Sequence, residues 1–186
     1  MPDKDLTGLM GYPYIRAMSK RDLKKFVAEV PKKELEQQIL DLYDRFPSVK
    51  NYYNFVFNPK EEDLILEAKS RIRNEYFPVK RKRPRARRSV AHKYIKQFRK
   101  LEMDASWLAE LMVFNLETAV DFEENRRLPE AFYKSMHNSF SELVQYVSLH
   151  QLLPLYQARI LSIYQAVQER EWLYAQEFSR ALDVLD

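Results

Sequence analysis

Seven of the nine residues in KRKRPRARR, residues 80–88, are Lys or Arg, and the segment contains no acid. So many like charges at this spacing repel one another, and they need a polyanion, an acidic counter-surface or complete solvation. Side chains of this type neutralise phosphates: each contact releases counterions, and the affinity is largely independent of base sequence. Arginine adds a planar fork that can bind two phosphate oxygens. The segment is therefore a candidate polyanion-binding loop at 79–88.

The positive charge continues into the helix predicted after this loop. Ser89 can cap a helix that runs to about Leu101, with its apolar residues on one face. The opposite face carries three lysines at i, i+3 and i+7. Loop and helix together give the candidate nucleic-acid or polyanion-binding residues, which are Lys80, Arg81, Lys82, Arg83, Arg85, Arg87, Arg88, Lys93, Lys96 and Lys100.

An acidic stripe downstream offers a different partner for the same cations. Asp104 is the expected cap of a largely apolar, central helix at 105–124, whose one polar face is acidic. That possible counter-surface consists of Glu110, Glu117, Asp121 and Glu124. The basic loop could dock on it within the chain or in a second copy, and a solvated linker with no partner is the third alternative.

The aromatic residues give a weaker signal for base stacking. Unpaired bases stack on aromatic side chains, and an aromatic cluster precedes the loop. At helical spacing such residues are more often core, so we expect the segment at 52–58 to be a short buried helix. Tyr76 and Phe77, directly beside the loop, are slightly better stacking candidates. The upstream cluster is Tyr52, Tyr53, Phe55 and Phe57.

The sequence contains no recognisable catalytic or metal-binding arrangement. Its three histidines have no ligand spacing, and no nucleophile lies near a base in the pattern. The acids around 117–124 lack the Glu-x-x-His pairs of di-iron bundles, so they are expected to be a solvated face. We therefore expect no metal, no cofactor and no enzymatic activity.

Composition predicts an all-α fold. A chain of 186 residues suits one domain, and its hydrophobic content of 46% excludes a mainly disordered protein. Its only two glycines are Gly8 and Gly11. Hairpins and phosphate-cradling loops depend on glycine, so the composition argues against β-rich folds and nucleotide-loop enzymes. The prediction is a single domain of about seven helices, arranged as a bundle or a short helical solenoid.

Charge divides the chain into two parts. Residues 1–17 hold both glycines and read as a peripheral extension, which leaves 18–186 as the helical domain. Within it, 18–100 is basic and 101–186 is acidic, with net charges over 1–100 and 101–186 of +12 and −8. There is no cysteine, no apolar stretch of membrane-spanning length and no signal pattern. The expected location is the cytoplasm, with no membrane partner.

Several ordered segments resemble an uncharacterised family of small proteins from Bacteroidetes-type bacteria, a domain of unknown function. The resemblance covers roughly residues 18–120 and implies a bacterial, cytoplasmic, helical protein that starts at Met18. It transfers no activity and no functional residue. The segments are MSKRDLKK at 18–25, ILDLYDRF at 39–46, YYNFVFNPKEE at 52–62, NEYFP at 74–78 and RRSVAHKYIKQF at 87–98.

Two hypotheses for function follow from these patterns. The first is a non-catalytic nucleic-acid-binding or nucleic-acid-associated helical protein, whose partner is RNA or DNA bound at the loop and following helix. The alternative is a helical protein-interaction or self-assembly module, in which the basic arm docks on an acidic surface of a protein partner or of a homo-oligomer.

Overall fold

The computed structural model describes residues 18–80, 82–124 and 126–183. These residues form nine α-helices and contain no strand. The all-α prediction is confirmed, with nine helices in place of about seven; the C-terminal helical pattern divides into two. The prediction for residues 1–17 lies outside the described residues. The helices are α1 (Lys20–Glu29), α2 (Lys32–Arg45), α3 (Pro47–Phe57), α4 (Glu61–Tyr76), α5 (Arg88–Lys100), α6 (Ala105–Glu123), α7 (Glu130–Leu149), α8 (Leu153–Glu169) and α9 (Ala175–Leu182).

The chain divides into two compact units, and the boundary follows Phe57. The sequence analysis placed no boundary at this position. In the first unit α2 packs against α3, and the hydroxyl of Tyr43 donates a hydrogen bond of 3.1 Å to Oδ1 of Asn54. The segment 52–58 was expected to be a buried helix. It is helical, but no residue of 18–57 is buried, and Phe57 is 82% exposed.

The second unit is a bundle around α6. Most residues of α6 are buried, including Leu111, Val113 and Ala119. The helix packs against α4, α5, α7 and α8, while α9 packs against α7 and α8. Other helices therefore surround α6 on most of its sides. This is why α6 is apolar on most sides. Nowhere in the described ranges is a helix both long enough and apolar enough to cross a membrane.

Side-chain caps fix the starts of two helices, α1 and α6. Ser19 and Asp22 form a capping box at the start of α1, in which the amide of Asp22 donates 3.2 Å to Oγ of Ser19. Asp104 accepts a 2.8 Å bond from the amide of Ser106 and caps α6. By contrast α5 begins at Arg88, one residue before the expected cap Ser89, and Arg87 occupies the N-cap position.

Three helices end in left-handed turns that use no glycine. At the ends of α5, α7 and α8 the turn residues Glu102, Gln151 and Glu171 have φ of 54°, 57° and 51°. In each turn the next amide bonds back across the last turn of the helix, as in the Met103 amide to Phe98 carbonyl contact of 3.3 Å. A residue with a Cβ is strained in the left-handed region of positive φ, whereas glycine is not. The bundle therefore holds strain at these three exposed turns.

We expect Gln151→Gly to raise the free energy of unfolding by up to about 1 kcal/mol, because glycine relieves the left-handed strain and loses some of that gain to its unfolded-state entropy. Thermal denaturation followed by circular dichroism measures the effect. The control Gln151→Ala keeps the Cβ and should give no increase. A melting temperature that falls with glycine would contradict this account of the turn.

Candidate anion-binding surface and cleft

The basic loop, residues 79–88, connects α4 to α5 in the second unit. Lys80, Lys82, Arg83 and Arg85 are exposed, whereas Arg81 lies outside the described residues. No ion pair involves these four described cations within the ranges that the structure describes. The loop thus presents its charges to solvent.

Glu75, at the end of α4, anchors the C-terminal half of this loop. Its carbonyl oxygen accepts hydrogen bonds of 3.0 Å from the amides of both Arg85 and Ala86. Its carboxylate accepts from Arg87 at two points, Nε to Oε2 at 2.8 Å and Nη2 to Oε1 at 3.1 Å. These hydrogen bonds and the negative charge of Glu75 raise the pKa of Arg87. Because backbone and side chain are both held, this half of the loop has a defined conformation.

Arg88 is also paired within the fold, but with α7. Its Nε donates 2.7 Å to Oγ of Ser139, and its Nη2 lies 3.3 Å from Oε2 of Glu142. Arg99, in the last turn of α5, donates a hydrogen bond of 3.1 Å to the other carboxylate oxygen of Glu142. Burial and the nearby Arg88 charge lower the pKa of His92, so this histidine is neutral at pH 7. These arginines fix α5 on α7.

The three lysines of α5 remain at the surface. Lys93, Lys96 and Lys100 are exposed, on the face opposite the buried Ala91 and Phe98. No ion pair involves them in the described part of the chain. Of the ten candidate cations, the nine described ones therefore divide into two paired arginines, Arg87 and Arg88, and seven exposed cations without a carboxylate partner in the described ranges.

The acidic stripe has other partners than the basic loop. Arg159 of α8 forks onto Glu117 with two bonds of 2.7 Å and also contacts Glu110, which accepts a further 2.6 Å bond from Lys69 of α4. Burial acts to raise the pKa of Glu110, but the bonds from Arg159 and Lys69 outweigh it and the pKa is lowered. These two glutamates are therefore paired with Arg159 and Lys69 and not with the loop, whose docking within the chain was one of the alternatives left open. They join α4, α6 and α8.

The other half of the stripe is unpaired in the described ranges. Asp121 and Glu124 are both exposed at the end of α6, and no ion pair involves either of them among the described residues. Only these two of the four predicted counter-surface acids are open to an external cation.

Beside the anchored half of the loop lies a cleft of about 740 Å³. Arginines line it from two segments of the chain: Arg85, Arg87 and Arg88 from the loop, and Arg126 and Arg127 from the connection between α6 and α7. No Asp or Glu is among its lining residues. The concentration of five guanidinium groups without an acid makes the cleft a strong candidate for binding an anion.

Arg126 and Arg127 were missed by the sequence analysis. The sequence signal that could have identified them is the Arg-Arg pair itself, which lies in the connection between two helices of the acidic part, 101–186. The guanidinium of Arg126 lies 4.6 Å from the Phe122 ring centroid and donates to the Phe122 carbonyl, so its position is fixed. The side chain of Arg127 is exposed and has no hydrogen-bond or ion-pair partner in the described ranges.

The candidates for base stacking differ in their burial and in their position in the fold. Tyr76 is 1% exposed and donates a hydrogen bond of 3.3 Å to Asn115, so it cannot stack on a base; burial raises its pKa. Phe77 is half-buried against Phe122, with ring centroids 5.9 Å apart. The upstream cluster belongs to α3 in the first unit. Nothing in the described residues groups three or more His, Asp or Glu side chains as metal ligands would be.

The fold and site thus define an all-α protein whose main chemical feature is a basic loop beside an arginine-lined cleft. The chain belongs to a family of unknown function, DUF6155, whose model matches residues 18–186. The match confirms the resemblance to an uncharacterised family and extends it beyond residue 120. That family carries no assigned activity. Comparison with curated proteins and with solved structures finds no match.

We expect Glu75→Gln to loosen the basic loop, because glutamine keeps the side-chain shape but loses the charged fork to Arg87. Hydrogen exchange at the amides of Arg85 and Ala86 should accelerate by about tenfold or more. Glu67→Gln is the matched control, since Glu67 is also on α4 and forms an exposed pair with Arg71 at 3.7 Å. Equal exchange rates in the two variants would refute the anchoring role of the carboxylate.

Proposed function

We propose that this protein is a non-catalytic nucleic-acid-binding protein, which contacts phosphates through the basic loop and the lysine face of α5. The observation that carries the proposal is the set of seven exposed cations without a carboxylate partner in the described ranges. Surplus cations on one surface attract a polyanion, and the release of its counterions supplies much of the affinity.

The anchoring of the loop supports the proposal further. A disordered basic tail would lose conformational entropy on binding, whereas the half of the loop that Glu75 holds, at Arg85, Ala86 and Arg87, has already lost it. The paired arginines, Arg87 and Arg88, are thus supports for the surface, and the exposed cations are its contacts. We place the function in the bacterial cytoplasm on the basis of the resemblance to the family.

The test is a salt-dependent binding titration with random-sequence RNA and DNA, single- and double-stranded, by electrophoretic retardation. The test variant replaces Lys82, Arg83, Lys93 and Lys96 with Glu and spares the supporting arginines. We expect strong retardation at low salt with the native protein and much weaker retardation with the variant. Removing four phosphate contacts should lower the slope of log K against log salt by roughly 3.

The matched control replaces Lys20, Arg21, Lys24 and Lys25 of α1 with Glu, which changes the net charge by the same amount. This variant should keep most of the affinity. Absence of salt-sensitive retardation by the native protein would overturn the proposal. Equal losses of affinity in both variants would show that binding depends only on the net charge of the protein. The assignment to this surface would then be wrong.

The alternative function is self-association, in which the basic loop of one copy meets Asp121 and Glu124 of another. Their exposure at the end of α6, without an ion pair in the described ranges, favours it. This alternative predicts an oligomer in sedimentation velocity that dissociates with salt and on Asp121→Lys plus Glu124→Lys. A monomer at low salt would eliminate it.

A further inference from the structure

We propose that the arginine-lined cleft takes one unpaired nucleotide, so that the protein binds single-stranded nucleic acid in preference to duplex. The inference rests on the proposed function and assigns its substrate class. It starts from the lining of the cleft, where cationic and apolar groups lie side by side.

The apolar part of the cleft has no use in binding a duplex. Leu128, Pro129 and Ala131 line it and are only partly covered by the rest of the fold. A duplex turns its phosphates outward and keeps its bases stacked inside, so it would meet the arginines and leave these side chains in water. An unpaired nucleotide presents a phosphate and an exposed base together, which matches both parts of the lining.

Volume supports the same conclusion. Pockets that enclose one small ligand range from about 300 to 1,000 Å³, and the cleft, at about 740 Å³, falls within this range. The cleft therefore has room for a single nucleotide, whereas a duplex is too wide to enter.

The arginines divide into supported and available groups. Arg87 and Arg88 are oriented by Glu75 and Glu142, and their charges contribute to the field of the cleft. Arg85 and Arg127 line the cleft from its two segments, and neither side chain has a hydrogen-bond or ion-pair partner in the described ranges. We assign the phosphate contact to Arg85 and Arg127, because they can bind a phosphate without breaking an existing side-chain interaction.

A free nucleotide shares this chemistry, but a strand accounts for more of the surface. Exposed cations adjoin the cleft residue Arg85 along the chain: Lys82 and Arg83 precede it in the loop, and Lys93 and Lys96 follow on α5. A free nucleotide in the cleft would leave them unused, while a strand with one nucleotide in the cleft places its neighbouring phosphates against them.

The experiment compares fluorescence anisotropy titrations of one labelled oligonucleotide, single-stranded and annealed to its complement. The native protein should bind the single strand at least about tenfold more tightly. The double variant Arg85→Ala, Arg127→Ala should lose that preference, because it weakens binding of the single strand much more than binding of the duplex. The control Lys20→Ala, Arg21→Ala removes the same charge from α1 and should retain the preference.

A second variant distinguishes a loss of binding from a loss of folding. Ala131→Asp adds an acid to the cleft at an exposed position and leaves every arginine in place. It should weaken single-strand binding as strongly as the double variant, while Ala131→Ser should not. Circular dichroism of all variants reports whether the bundle is intact.

The outcomes separate the two claims. If native protein binds duplex as tightly as single strand, the cleft assignment is wrong and the proposed function stands. If it binds neither, both are wrong. If a nucleoside monophosphate displaces the strand at equal nucleotide concentration, the ligand is the free nucleotide and the assignment to a strand is overturned.

Discussion

The candidate site depends on the ion pair between the buried carboxylate of Glu75 and Arg87. Glu75 is only 7% exposed, and a carboxylate at such a depth is costly unless charged donors satisfy it. Arg87 meets that need with two bonds, and the Glu75 carbonyl holds the amides of Arg85 and Ala86. The hydrogen bonds to Glu75 thus determine the conformation of residues 85–87 of the basic loop, which form part of the lining of the cleft.

Internal ion pairs determine which charges remain for an external partner. Arg159 and Lys69 neutralise Glu110 and Glu117, and Glu142 is shared by Arg88 and Arg99. Three acids in the second half of the chain, Glu110, Glu117 and Glu142, are thus used in joining helices. The exposed cations of the loop and α5 have no such partners in the described ranges, so a sequence of modest net charge folds into a bundle with one strongly basic surface.

Local patterns in the sequence predicted the features that depend on local physics. Helical period and the scarcity of glycine indicated the all-α class, and Asp104 indicated the cap of α6, because each reflects neighbours within a turn or two. The pairs of Arg87 with Glu75 and of Arg88 with Glu142 span 12 and 54 residues, and no local period encodes them. The place of Arg127 in the cleft likewise depends on how α6 and α7 pack. The aromatic segment of α3 was expected to be buried from composition alone, which does not reveal whether a second element covers it.

Photo-crosslinking tests the central claim most directly. A single-stranded RNA carrying 4-thiouridine is bound at low salt, irradiated and digested, and the linked peptides are identified by mass spectrometry. The proposed binding surface predicts cross-links in residues 80–100 and in 126–136, with loss of both groups at high salt. Cross-links confined to α1–α3 or to α8–α9, or none at all, would contradict it.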